Sequence, residues 1–480
     1  MRPTRAALIT VLASSALLAR VTSAQDAKSG VLAALDAQSD HYAGIAKQIW
    51  GFAEVGYQEF KSSRLLRSEL ANAGFRVDSN VAEIPTAFTA TYGSGKPVVA
   101  IVGEFDALPG LSQDALPDKK ALVDGGAGHG CGHHLFGTAS VAAAIAVKNW
   151  MAANRIAGTL RFYGTPAEEG GGGKVYMIRD RRFDDVDVVV SWHPGDNNNV
   201  DANSVLANIS AKFRFHGVSA HAAGAPERGR SALDGVEAMN NMVNMLREHI
   251  PQETRIHYVI TNGGRAPNVV PDFAEVYYYA RHNDMRVLDG IWERIVKASE
   301  GAALGTGTTV DHEIIAAVWN ILPNDYLSKL QHKNLERVGG YTYTPAERAF
   351  AEQLRKSLGS NLPPLDNASR VLEWENGKVD MASTDMGDVS WRVPTVQLSA
   401  ATWVPGTPAH SWQAVAAGGM SIGPKGMMVA AKTMTLTAMD LFNDATHIQK
   451  ARAEFDQRRG PNFVYSTRLA TRKPPLDYRK

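Results

Sequence analysis

A chain of 480 residues, 44% hydrophobic and 21% charged, has the length for two or three domains, each able to bury most of its apolar surface. Its 50 basic and 49 acidic residues give a net charge of +1, without the basic excess of a nucleic-acid binder or of a protein held on an anionic membrane. Cys131 is the sole cysteine, so no intrachain disulfide can form and the fold stands on packing alone.

Met1 to Ala24 places Arg2 and Arg5 ahead of an apolar run from Ala6 to Leu18 and ends in the small residues Thr22-Ser23-Ala24, the layout of a cleavable secretory signal. The run is too short to span a bilayer. An exported protein, periplasmic or secreted, is expected, and cleavage leaves 47 bases against 49 acids. Next come two stretches with helical apolar spacing, Tyr42 to Ala53 and Ser62 to Leu70, joined by EVGYQE. Apolar runs at Val98 to Val102, Thr159 to Tyr163, Val186 to Ser191 and Thr395 to Ser399 read as buried strands. A small-residue helix, Phe136 to Ala153, lies between the first two. The pattern predicts an α/β catalytic domain over 25–203 and 320–445, a mostly parallel sheet with helices on both faces. From 204 to 319 the texture changes to an inserted α+β unit, with strands at Ala211 to His216, Thr254 to Ile260 and Phe273 to Tyr279 and helices at Ser231 to Glu248 and Asp289 to Glu300. Residues 446–480 are basic and proline-bearing and are expected to form an extended tail.

Four polar clusters each follow an apolar strand: EFDALPG, TPAEEGGGG, HPGD and a stretch ending in PAHSW. Sites in open α/β sheets form at that strand edge. Cysteine, histidine and paired glutamates there are the donor types that late first-row cations take. In GHGCGHHLFGTA, Cys131 and His133 share a glycine-rich loop; Cys131 reads as a thiolate ligand or as a small buried hydrophobe. His129 and His134 read as supporting donors or solvent-facing groups. Glu168 and Glu169 are adjacent, so one can bind metal while its neighbour takes a proton. His193 in SWHPGD and His410 in PGTPAHSW, each taken alone, read more readily as a hydrogen-bonded structural histidine than as a ligand. Asp106 either orients a ligand histidine or caps the following turn.

These motifs, with GVSAHAAGAPERGRSALDGVEAM, APNVVPD and STDMGDVSW, run in one order from Phe52 to Ala445 and resemble the two-metal aminoacylase and carboxypeptidase family of amidohydrolases. The resemblance implies two divalent ions, Zn or Mn, bridged by Cys131, with His133 and Glu169 on one and His193 and His410 on the other. It implies that Glu168 is the general base and that His221 reaches the oxyanion in the site of a partner chain. Asn268 is then a substrate contact, and the inserted unit a lid and dimerisation domain that makes a homodimer or hetero-oligomer. Metal-activated water would cleave the amide bond of a small substrate, an N-acyl amino acid carrying a carboxylate; no other cofactor, nucleic acid or membrane is implied. At His134 the sequence departs from the family's usual Asp or Asn.

Two alternatives compete. Gly419-Met420-Ser421-Ile422-Gly423 matches the nucleophile-elbow pattern of serine hydrolases, but no strand precedes it and Ser421 reads as the cap of a helix starting near Gly426. The chain could also be a metal-stabilised, non-catalytic component that needs a partner for activity.

Overall fold

The computed structural model describes residues 27–479; the expected signal lies outside them. The chain opens with helices α1 (27–36), α2 (Ser39–Phe52) and α3 (Phe60–Asn72), then strands β1 (Arg76–Ser79), β2 (Phe88–Ser94) and β3 (Val98–Gly103). Helix α4 (His133–Asn154), β4 (Gly158–Gly164), α5 (Gly173–Arg179), β5 (Val188–Gly195), β6 (Asn199–Val200) and β7 (Ala202–Val205) follow. The inserted domain holds β8 (Ala207–His216), α6 (Ala232–Leu246), β9 (Arg255–Asn262), β10 (Phe273–His282), α7 (Met285–Thr306) and β11 (Thr309–Val318). The catalytic domain resumes with α8 (Asp325–Val338), α9 (Pro345–Arg355), β12 (Asn376–Asp380), α10 (Met386–Ser390), β13 (Thr395–Ala401), α11 (Trp412–Gly419), α12 (Ile422–Asn443) and α13 (Ala445–Arg459).

Seven strands form the main sheet in the order β1-β2-β4-β3-β5-β13-β6. The central pairs β4-β3, β3-β5 and β5-β13 are parallel, while β1, β2 and β6 run antiparallel at the edges. On β3, Val98, Ala100 and Val102 enter one core and Val99 and Ile101 the other, so both faces are covered. Each such valine or isoleucine stabilises the fold by roughly 1.5–3 kcal/mol. Alanines, Gly137 and Ser140 keep α4 slim where it packs on β3, β4 and β5, and α12 packs beside it, against β5 and β13.

The inserted sheet has the order β11-β8-β10-β9, with α6 and α7 over one face. Ile209, Ala211, Phe213 and Phe215 alternate inward along β8, as do Ala274, Val276, Tyr278 and Ala280 along β10. Val259 and Ile260 of edge strand β9 and Met245 of α6 remain exposed. Strand β11 lies inside the expected insertion but goes unpredicted from sequence, because its residues lack a clean apolar alternation, and the region after Ala445 is not an extended tail. It forms α13 and then a packed segment, because Phe455, Leu469 and several aromatic rings find buried seats.

Candidate active site

The C-terminal ends of β3, β4, β5 and β13 converge on one point, and each delivers polar side chains there. Just past β3, Asp106 accepts from His133 Nδ1 through Oδ1 (2.9 Å) and from the Glu169 amide through Oδ2 (3.0 Å). One buried carboxylate thus orients a ring at the start of α4 and the loop after β4. Gly132 precedes α4 in a left-handed conformation, and an added Cβ would meet the Pro194 ring at 2.7 Å. That glycine lets Cys131 approach the end of β5, where its Sγ lies 3.5 Å from His193 Nε2. His193 Nδ1 donates to the Pro194 carbonyl (2.7 Å), which turns Nε2 toward the sulfur. His410 is pinned by its amide to the Gly130 carbonyl (2.9 Å) and sets Nε2 3.2 Å from Glu169 Oε1.

The donors fall into sets whose ligand atoms lie within 4.8 Å of one another: Cys131 with His133 and His193, and Cys131 with Glu169 and His410. The sulfur is common to both. This differs from the implied pairing of His133 with Glu169 and of His193 with His410, because Cys131 and His133 both face the end of β5 whereas His410 is tethered beside Glu169. A third set joins Glu104, His133 and Glu168. His133 Nε2 faces Glu104 Oε2 (3.0 Å) and Glu169 Oε1 faces His410 Nε2 (3.2 Å), buried pairs that lack the geometry of a well-aligned hydrogen bond. Thiolate, imidazole and carboxylate gathered in this way fit divalent first-row cations.

The lowered thiol supports that chemistry, and the crowded carboxylates and thiolate hold protons on their neighbours where no cation is bound. Burial raises the Cys131 thiol, but His193 and His133 outweigh it and hold the group well below the usual thiol range. Burial lifts Glu168 well above the carboxylate range, with Glu104 and Glu169 adding to the effect. Hydrogen bonding to Cys131 and then Glu169 pushes His410 up to about 10.

Sequence reasoning missed the buried ion cluster beneath this centre. Lys174 Nζ, fully buried, lies 2.7 Å from Glu104 Oε1 and 2.6 Å from Asp385 Oδ1, and Glu104 Oε2 lies 3.0 Å from His133 Nε2. Glu59 was also missed: its Oε1 accepts from the Ala167 amide (2.9 Å), and burial, then Asp106, pushes it up to about 8. Lys174 and Glu59 stand within motifs already singled out, next to GGGG and at the end of EVGYQE, but nothing local marks either as buried. His129 and His134 are buried, their rings 4.9 Å apart, and each bonds a backbone carbonyl, Ile49 and Gly418 respectively. They tie the ligand loop to α2 and the start of α4 to α11 instead of facing solvent.

His221 and Asn268 are not brought to the cluster. Both are exposed on the inserted domain, joined by the Ala222 amide donating to the Asn268 carbonyl (3.1 Å). Ser421 directly precedes α12, which starts at Ile422 and not near Gly426, and its side chain does not cap that helix. Its hydroxyl donates to Glu347 (2.6 Å), and helix α11, not a strand, leads into it.

A parallel sheet that gathers sulfur, imidazole and carboxylate donors at its C-terminal edge and carries an inserted α+β domain defines a two-domain hydrolase. The peptidase dimerisation domain family matches residues 204–306. Over 451 residues the chain is 44% identical to one of the subunits of p-aminobenzoyl-glutamate hydrolase from Escherichia coli strain K12, covering 88% of this chain and 94% of that one. It is 28% identical over 437 residues to the Xaa-Arg dipeptidase of Mus musculus, covering 88% and 90%. Among solved structures, a Bacillus subtilis protein described as a dinuclear metal-binding peptidase of the M20 family superposes with a TM-score of 0.58 at 16% identity, covering 85% and 99%. The chain belongs to the M20 peptidase family and is a hydrolase of amide bonds.

Proposed function

We propose that this protein is a metal-dependent amidohydrolase that cleaves an N-acyl amino acid of the aminobenzoyl-glutamate kind. The observation that carries the reading is the shared sulfur: one buried thiolate lies within ligand distance of two separate donor sets, His133 with His193 and Glu169 with His410. Two divalent cations, Zn or Mn, fit those sets. Such ions polarise a substrate carbonyl and acidify a water.

The chain's own groups supply the rest. Burial and the neighbouring Glu104 and Glu169 raise the proton affinity of Glu168, which starts as the carboxylate, takes the proton of the attacking water and returns it to the leaving amine nitrogen. Asp106 keeps His133 in the tautomer that leaves Nε2 without a proton. His221 of the partner subunit contributes to oxyanion stabilisation and Asn268 to substrate contact, in keeping with their exposure on a domain of the dimerisation family. The substrate class and a hetero-oligomeric assembly are both suggested by the Escherichia coli relative, which is named as one subunit of a p-aminobenzoyl-glutamate hydrolase. A non-catalytic role has less support, since base and donors are all present in one chain. Export is proposed from residues 1–24 alone; Gln25 at the N-terminus of the secreted protein is the expected finding, and Met1 there would remove this part.

The test is an assay of chelated protein reloaded with Mn²⁺ or Zn²⁺ on a panel of N-acyl amino acids that includes aminobenzoyl-glutamate. Activity lost on chelation and regained on reloading is expected. Chelator-insensitive turnover that serine-directed reagents abolish overturns the reading.

A further inference from the structure

Residues 460–479 have almost no regular structure, yet they are held along their length. Near the junction of the two domains the Phe463 ring lies 4.6 Å from that of Trp391, and the Tyr465 hydroxyl donates to Asp388 (2.6 Å). On the inserted domain Arg468 pairs with Asp289 of α7, and Arg472 reaches Glu313 (3.1 Å) and the Ile315 carbonyl (3.0 Å) of β11. The strap then returns to the catalytic domain, where Gln58 donates to the Leu476 carbonyl (2.7 Å).

Its far end lies on the loop that carries the paired glutamates. The Tyr478 hydroxyl donates to the Glu169 carbonyl (2.9 Å), and the Arg479 guanidinium donates to the same oxygen. Tyr478 stands edge-on to Tyr57, with ring centroids 5.6 Å apart. Gly56 makes room for it, since a Cβ there would sit 2.3 Å from the tyrosine oxygen. The Glu169 residue is thereby gripped on both sides, its N–H by Asp106 and its C=O by the strap. The loop requires such support: Ala167 adopts φ +55°, a conformation disfavoured for a residue with a side chain, and Gly170 and Gly172 also lie at positive φ.

We infer that Tyr478 and Arg479 are positioning residues for hydrolysis, fixing the backbone of Glu169 and through it the carboxylates of Glu168 and Glu169. They act on the peptide and not on the substrate. Since the same strap is tied to Asp289 and Glu313, the placement of the inserted domain and that of the glutamate loop share one element.

The inference rests on the hydrolase reading for its kinetic consequence but not for its structural one, so the experiment has two arms. In the full chain, Tyr478→Phe and Arg479→Gln are made singly and together, with Arg479→Lys as the conservative variant. Hydrogen exchange should rise about thirtyfold or more in peptides covering residues 167–173 of the double variant, as expected for losing one neutral and one charged hydrogen bond, and stay unchanged in α4 and α7. Turnover should fall about tenfold with KM within about twofold, the pattern of a group acting in the transition state, and Arg479→Lys should recover part of it. Unchanged exchange in the loop overturns the inference, as does exchange raised equally throughout the chain or wild-type kcat in the double variant. If the wild type turns over no substrate with either metal, the hydrolase reading fails, and the exchange arm alone decides whether the strap holds the loop.

Discussion

Lys174→Met tests whether the buried ion cluster beneath the site is a structural requirement. Methionine is close in length to the lysine stem, so packing is nearly kept and the charge is what leaves. Lys174 is fully buried, with Nζ 2.6 Å from Asp385 and 2.7 Å from Glu104, two carboxylates each 1% exposed. Removing the cation from a buried cluster costs about 3–5 kcal/mol because an uncompensated charge is left behind. At an unfolding entropy of roughly 2 cal/mol/K per residue, a chain of this size loses about 1 kcal/mol per degree, so the melting midpoint should drop by about 3–5 °C. The loss should depend on pH. Burial, with Glu104 adding to it and Lys174 opposing it, already raises Asp385 from the ordinary 3.8 to about 6, and without Lys174 it rises further. A carboxyl raised in the folded state favours folding at low pH and loses that contribution as pH climbs through its folded value, so the gap between variant and wild type should widen from pH 5 to pH 8. Differential scanning calorimetry of metal-free protein across that range measures both effects. Adding Asp385→Asn to the variant should recover part of the loss, since one carboxylate no longer needs a partner. A midpoint shift below about 1 °C at pH 8 refutes the reasoning.

Other expectations are simpler to check. Glu168→Gln should lower turnover by about 10²–10⁴ while metal content by mass spectrometry stays at the wild-type value; full turnover with metal bound removes Glu168 as the base. Cys131→Ala should weaken retention of both ions in equilibrium dialysis, whereas His193→Ala should weaken one, since only the sulfur belongs to both donor sets; equal losses would contradict the grouping. Ser421→Ala should leave kcat/KM within about twofold and cost about 1 kcal/mol for the hydrogen bond to Glu347, and loss of activity would revive a serine nucleophile.

The site could be read from sequence wherever a polar cluster follows an apolar strand, because the sheet's two covered faces leave only its C-terminal edge for chemistry. Val98–Gly103, Gly158–Gly164 and Val188–Gly195 are almost wholly buried runs, Thr395–Ala401 alternates between buried and half-buried residues, and the donors stand at their ends. Which donors share a centre was not legible, since loop order does not encode which side chains face one another across the edge. Lys174 and Asp385 are 211 positions apart, and a lysine opening a short helix after four glycines has the local signature of a surface residue. Strand β1, the four residues RVDS, offers no apolar alternation, and its pairing with β2 is what makes it a strand. The segment after Gly460 misleads for a related reason. Phe463 and Tyr465 pack on Trp319 while Tyr478 packs on Tyr57, so the spacing of the segment's apolar residues follows the contour of two domains and carries no period of its own. Its arginines add net charge to any composition count, yet Arg472 and Arg479 donate to backbone carbonyls of β11 and of the glutamate loop. A guanidinium that satisfies carbonyls of a finished fold is indistinguishable, in sequence, from one left in water, and this is why a basic, proline-bearing tail can be a structural strap.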